Sequence, residues 1–310
     1  MADPAQHLAA NLRVTLIGVT VNIFLAAGKL IAGVVGHSQA LVADAVESFA
    51  DILGSLVIWQ GLRVAARPPD EDHPYGHGKA EAVAALAVGL MLVFAGVGIV
   101  VQAARHIAEP DRLPEPFTLW VLVGVIIIKE LLFQLARARA KASGSSALLA
   151  DAWHHRSDAV TSIAALIGIA LSLYAGPAFR HADPIAAIVA AGVIVFNALR
   201  IMRPPLSELL DAHQPELQAQ VREIARSVPG VVDVEKVLAR KSGGMFHVDM
   251  HLHVAPDMPV RDAHALGGKV KAIIREKVPS VRNVLMHVEP SGEQATREVG
   301  GQATNGKDVK

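Results

Sequence analysis

Apolar residues run through the first two thirds of the chain in six long stretches, 14–35, 40–64, 81–104, 117–136, 147–174 and 184–202. At roughly 20 residues each, they are long enough to cross a ~30 Å hydrocarbon core as helices. The first ten residues carry no basic segment or small-residue cleavage site, so the first stretch reads as a retained span. After about residue 206 the pattern turns polar and its period changes. Residues 216–227 have helical spacing, and 231–238 reads as a strand after the Pro229-Gly230 turn. Gly243-Gly244 then leads into Met245–Val254, which alternates strictly. Phe246, Val248, Met250, Leu252 and Val254 fall on one face, and His247, Asp249, His251 and His253 on the other. Val260–Lys277 is helical and 281–289 is a last strand before Pro290. The expected organisation is an N-terminal segment (1–13), an all-α six-helix membrane domain (14–205), an α+β domain (206–290) and a disordered tail (291–310). The order αββαβ predicts one antiparallel or mixed sheet covered on one face by two helices.

Composition agrees with a membrane protein: 52% of the 310 residues are hydrophobic and only 19% charged. Lys plus Arg and Asp plus Glu both number 29, which removes the broad basic field of a nucleic-acid binder. Nucleic acid is not an expected partner. The absence of cysteine leaves His, Asp and Glu to build any metal site, and there are 14 histidines. Arg63, Arg67, Lys79, Arg137, Arg139, Lys141, Arg200 and Arg203 follow spans two, four and six, whereas the opposite side has Arg105, Arg112 and Arg180. That bias predicts that both termini are cytoplasmic. The short turn Gly36-His37-Ser38-Gln39 makes the first two helices antiparallel neighbours.

The chain repeats itself inside the membrane segment. Ser38-Gln39-Ala40-Leu41-Val42-Ala43-Asp44-Ala45, followed by Glu47 and Asp51, recurs 107 residues later as Ser145-Ser146-Ala147-Leu148-Leu149-Ala150-Asp151-Ala152, followed by His154 and Asp158. Each copy sets ionisable groups at i, i+3 and i+7, along one helix face. A single mid-membrane carboxylate costs about 2.5–3.5 kcal/mol on insertion scales, so these stripes require partners. A polar network between helices would meet that need. So would a cation enclosed by Glu47, Asp51, His154 and Asp158, one nitrogen and three oxygen ligands in near-tetrahedral array. A closed set of four leaves no position for a catalytic water, which favours carrying a metal over chemistry on it. Asp44 and Asp151, one turn earlier, are expected along the ion's pathway or behind the ligands, with a structural role equally open. Asp70, His73 and His77 lie in a loop whose Pro74 and Gly76 can turn them toward one ion, although a solvated loop has the same composition. The histidine face of Met245–Val254 fits either a solvated surface or half of a metal site. His287 and Glu289, two apart on the last strand, share a face.

At these residues the chain resembles the cation diffusion facilitator family. The resemblance covers roughly 11–290 and is most specific in the two repeat copies and in Asp70-Glu71-Asp72-His73-Pro74-Tyr75-Gly76-His77-Gly78-Lys79-Ala80-Glu81. It implies a homodimeric, multi-pass protein of the cell (inner) membrane with a metallochaperone-like cytoplasmic αββαβ domain. The implied activity is export of divalent cations such as Zn, Fe, Cd, Co or Mn in exchange for protons, with zinc or iron expected first and no organic cofactor. It makes Glu47, Asp51, His154 and Asp158 the transport site, with Glu47 standing where relatives usually carry Asp or His. It implies a second metal site at Asp70, His73 and His77, and tail metal ligands at His251, His264, His287 and Glu289, with Glu235 where relatives carry His. It also pairs Lys79 with Asp211 as an interdomain charge interlock. Two other classes compete: a metal-sensing membrane scaffold, and an intramembrane metalloenzyme, for which no His-Glu-x-x-His element is present. Lys29, Lys129 and Glu130 fall inside spans without assigned partners.

Overall fold

The computed structural model describes residues 4–108, 113–143 and 146–292, with side chains from 13 onward apart from 143, 146–148 and 150. Residues 1–3 of the expected N-terminal segment, Arg112, Ser145 of the second repeat copy and the expected tail beyond 292 lie outside the described residues. Among the described residues, six long helices coincide with the six apolar stretches: α1 (Pro4–Val35), α2 (Gln39–Ala65), α3 (Ala80–Ala108), α4 (Phe117–Ser143), α5 (Ser146–Tyr174) and α6 (Ala182–Leu209). Most run past the apolar stretch into polar residues. Five carry segments long and apolar enough to cross a membrane: Arg13–Val35, Ala80–Ala108, Phe117–Ala142, Asp151–Tyr174 and, with the 3₁₀ turn Pro177–Phe179, Pro177–Leu209. Helix α2 matches them in length, but Asp44, Glu47 and Asp51 dilute its apolar character.

The chain divides into two compact units, and the first comprises Met1–Trp59 and Ala85–Met202. Its packing is small inside and large outside. Alanines 26, 43, 45, 103, 152, 187 and 191 are buried, whereas Phe24, Phe94, Trp120 and Phe196 are exposed. That is how helices pack where lipid surrounds them, because small side chains let backbones approach and nothing drives large apolar ones inward. A Cβ on Gly96 would press on Val195, and one on Gly168 on Ala186. Helix α2 is gripped from two sides. Ala40 and Leu41 pack with Ala32, Leu122, Ala165 and Ile169, and Ala43 packs with Ile99, Ala103, Ala187, Ala191 and Ile194. Its N-terminus is capped by a residue distant in sequence: Asp183 of α6 accepts from the Ser38 hydroxyl at 2.6 Å and from the Gln39 amide at 2.7 Å. These contacts fix the rotation of α2, and with it the direction of its acids.

The second unit comprises Gln60–Ala84 and Arg203–Lys310. After the end of α6 it contains α7 (Pro215–Arg226), β1 (Asp233–Ser242), β2 (Met245–Val254), α8 (Val260–Lys277) and β3 (Val281–Pro290). The sheet is mixed, in the order β1-β2-β3, with β1 antiparallel and β3 parallel to β2. Val234, Val248, Met250 and Leu252 pack under Val221 of α7 and Val270 and Ile274 of α8. Strand β1 continues to Ser242, past the expected end at 238, because Arg240, Lys241 and Ser242 pair with His247, Phe246 and Met245 across the hairpin. Pairing extends the strand where apolar content does not. Gly243 closes this hairpin at φ +61, a left-handed conformation that glycine adopts freely. A bulge between Val234 and Val237 sets Glu235 and Lys236 in the same gap of the ladder.

Candidate metal centres

Helices α2 and α5 bring the two repeat copies together. The Nε2 of His154 lies 3.8 Å from Asp51 Oδ2, and its Nδ1 lies 3.7 Å from Asp158 Oδ1. One donor atom each from Asp51, His154 and Asp158 can be chosen within 4.8 Å of the others. These gaps exceed hydrogen bonds. Two donors about 2.1 Å from one ion at a tetrahedral angle stand roughly 3.4 Å apart, so small side-chain shifts would let an ion fill the gap. Glu47 stands outside this triad. With Asp44, Thr161 and His181 it lines a mostly apolar cavity of about 430 Å³ between α2, α5 and α6.

The lysines without assigned partners turn out to be cross-helix ties. Lys29 of α1 is fully buried and donates to Ser48 Oγ at 2.6 Å and to the Asp44 carbonyl at 3.0 Å, with Asp44 Oδ2 3.1 Å away. Ser162 of α5 donates to the same Asp44 carboxylate at 2.9 Å. Lys129 of α4 donates to Asp158 Oδ2 at 2.6 Å. Glu130 accepts from Gln134 on its own helix. The equivalent repeat positions 44 and 151 therefore differ: Asp44 joins three helices, whereas Asp151 lies 3.7 Å from His155 one turn on. Arg156 lies over the Phe133 ring, 4.7 Å from its centroid.

In the second unit, Asp70, His73 and His77 also meet within 4.8 Å. The His73 amide donates to Asp70 Oδ1 at 2.7 Å, a turn that also brings the His77 ring to 3.4 Å from Asp70 Oδ2. The amide first, and then the nearby imidazoles, hold Asp70 below the usual carboxylate range. Lys79 Nζ lies 3.1 Å from Asp211 Oδ1, within this same unit.

The polar face of the tail sheet carries two groups that share a residue. His251 Nδ1 is 2.7 Å and His287 Nδ1 3.4 Å from Glu289 Oε1, while His253 Nε2 is 3.3 Å from both Glu235 Oε2 and Glu289 Oε2. Parallel pairing explains this, since it sets His251 beside His287 and His253 beside Glu289. His253, buried to 6% exposure, lies on the histidine face but is not among the ligands that the resemblance implies. Its signal was present in the alternation, two residues after His251 on the same face. His264 sits exposed on α8, while the sheet's other, apolar face packs under the helices, and it joins neither group. His247 is buried as well; desolvation, then Arg240 and Arg282 nearby, pushes its imidazole below the ordinary histidine value.

Residues 15–210 match the model of the cation efflux transmembrane domain, and 214–291 that of the cation efflux protein cytoplasmic domain. The chain is similar to the manganese efflux system protein MneP of Bacillus subtilis (strain 168), 30% identical over 299 residues that cover 95% of this chain and 100% of that one. It is similar to metal tolerance protein 2 of Oryza sativa subsp. japonica, 31% identical over 308 residues, 90% of this chain and 78% of that one. It is also similar to the cation-efflux pump FieF of Yersinia pestis (strain Pestoides F), 32% identical over 255 residues, 82% of this chain and 84% of that one.

Proposed function

The chain belongs to the cation diffusion facilitator family of cation-efflux transporters, and from that premise we propose that it exports a divalent metal from the cytoplasm in exchange for protons through Glu47, Asp51, His154 and Asp158. As a member of that family it is a multi-pass membrane transporter of divalent metal cations and not an enzyme, which leaves the metalloenzyme and scaffold readings without support. The observation that carries the transport site is the approach of Asp51 to His154 and Asp158 within 4.8 Å, from helices whose sequences repeat. Glu47, one turn from Asp51 and lining the adjoining cavity, is the fourth ligand, recruited as the ion arrives. Metal ligation requires deprotonated carboxylates and a free imidazole nitrogen, so protons and metal compete for one set of atoms. Rocking of the helices then takes metal from one side and lets protons displace it on the other.

Three carboxylates with one imidazole make an oxygen-rich set that suits Mn(II) and Fe(II) at least as well as Zn(II). A relative named for manganese efflux supports placing manganese first in the test panel. The Lys and Arg bias of the loops supports cytoplasmic termini in the cell inner membrane, with 14–205 spanning it and 206–290 in the cytoplasm. The tail groups around Glu289 and the loop group around Asp70 act as sensing sites whose occupancy favours one state of a homodimer. Because His264 lies away from Glu289 within one chain, its role as a ligand requires a second copy.

Metal uptake into proteoliposomes, with and without an imposed pH gradient, tests this reading for Mn, Fe, Zn, Co and Cd. Gradient-driven transport is expected in the wild type, with loss of at least about a hundredfold, more than 2 kcal/mol, in Asp51→Ala and Asp158→Ala. Wild-type transport in both variants would remove the site assignment, and transport indifferent to the gradient would remove proton exchange.

A further inference from the structure

Helix α4 sends a charge of the opposite sign into the candidate transport site. Lys129 is 2% exposed, and its Nζ donates to Asp158 Oδ2 at 2.6 Å. The other oxygen of that carboxylate, Oδ1, faces His154 at 3.7 Å. Asp158 is thus shared between a tethered cation on one side and the metal-binding group on the other. An ordinary ligand carboxylate has no need of such a neighbour, since an ammonium opposes the arrival of a metal ion.

The charge count explains why it is there. In the metal-bound state the ligands are deprotonated, so Glu47, Asp51 and Asp158 contribute three negative charges and Lys129 one positive charge. The fixed charge of the site is minus two, and a divalent cation brings it to zero. The other buried lysine does not enter the sum, because Lys29 is matched by Asp44, 3.1 Å away. Asp151 has His155 beside it and lies a turn before His154, outside the triad. Without Lys129 the loaded site would keep one uncompensated negative charge in a low-dielectric interior, where unpaired charge is penalised most.

We propose that Lys129 is a resident counter-cation of the transport site, which sets the site's fixed charge so that a divalent ion neutralises it and holds Asp158 when the ion has left. It makes the difference between binding an ion and being able to release it. This rests on the reading of Glu47, Asp51, His154 and Asp158 as the transport site.

The test compares Mn(II) uptake by wild type, Lys129→Met, Lys129→Arg, Glu47→Gln and the double variant Lys129→Met/Glu47→Gln in proteoliposomes, with Asp51→Ala alongside. Lys129→Met is expected to lower both KM and kcat, each by at least roughly tenfold, because a site at minus three binds a divalent ion more tightly and releases it more slowly. Lys129→Arg keeps the charge and stays near wild type in both constants. Glu47→Gln removes a ligand and leaves the fixed charge at minus one, so KM rises; adding Lys129→Met returns the charge to minus two and lowers KM relative to Glu47→Gln alone. A lysine with a purely structural role would instead raise KM of the folded protein in both the wild-type and the Glu47→Gln backgrounds, and that result overturns the proposal. Unchanged KM and kcat in Lys129→Met overturns it too. If Asp51→Ala transports like wild type, the site assignment itself fails; if Asp51→Ala is inactive while Lys129→Met is unaltered, the counter-cation role alone is lost.

Discussion

Each unit of the molecule holds a lysine–aspartate pair of similar length, and the two differ in almost everything else. Lys129 and Asp158 meet at 2.6 Å with side chains 2% and 15% exposed, whereas Lys79 and Asp211 meet at 3.1 Å with side chains 43% and 46% exposed. Water screens the second pair, so its ions lose little when separated and its strength is at most about 1 kcal/mol. The first pair has no such alternative. Removing one partner leaves the other buried with nothing to answer its charge. The exposed pair therefore serves as a reversible tie, and the buried pair as a fixed element of the site's electrostatics. A shared chemistry takes its function from its surroundings.

The comparison breaks most sharply at Asp158. Replacing it with Ala strands the Lys129 ammonium, and the protein is expected to lose about 3–5 kcal/mol of stability along with its transport. Thermal unfolding in detergent micelles checks this, and adding Lys129→Met should recover most of the stability but none of the transport. A single variant as stable as wild type would show that the pair is far wetter than its burial indicates.

A smaller effect is expected at His247. Burial depresses its folded pKa below the value near 6.5 that it has when unfolded. The sign follows: the tail loses no stability to this group above about pH 6.5, and loses it as pH falls from there through the lowered folded value. Amide hydrogen exchange along β2 in the full chain should therefore quicken between pH values of about 7.5 and 5, after correction for intrinsic rates. His247→Gln should flatten that change.

The smallest effect belongs to the exposed pair. Lys79→Met should cost under about 1 kcal/mol, and in about 1 M salt the difference from wild type should vanish. A larger, salt-resistant loss would mean that this pair too is desolvated in the assembled protein.

Much of this architecture is legible in the sequence. The six helices were visible because a run of about 20 apolar residues has few other solutions, and β2 was recovered end to end because strict alternation admits one pairing face. Strand β1 was underestimated because Arg240, Lys241 and Ser242 are held by their partners across the hairpin and not by apolar content. In the candidate site, spacing placed Asp51 and Asp158 on polar stripes but gave no sign that Glu47 would stand apart from the triad or that Lys129 would reach Asp158. Alternation puts His253 on the face that can form half of a metal site, but only strand register brings it to Glu289.

What the sequence determined by itself is what depends on near neighbours along the chain: which segments are helical or extended, and which side chains share a face at i, i+3 and i+7 or at i, i+2. Periodicity carries that information because backbone geometry repeats every few residues. The tertiary structure decided which faces meet: α4 behind α5, Asp183 at the start of α2, and Glu289 between two histidine groups. Those choices are made by helix packing and strand pairing between residues that can lie more than a hundred positions apart, and no local pattern records them.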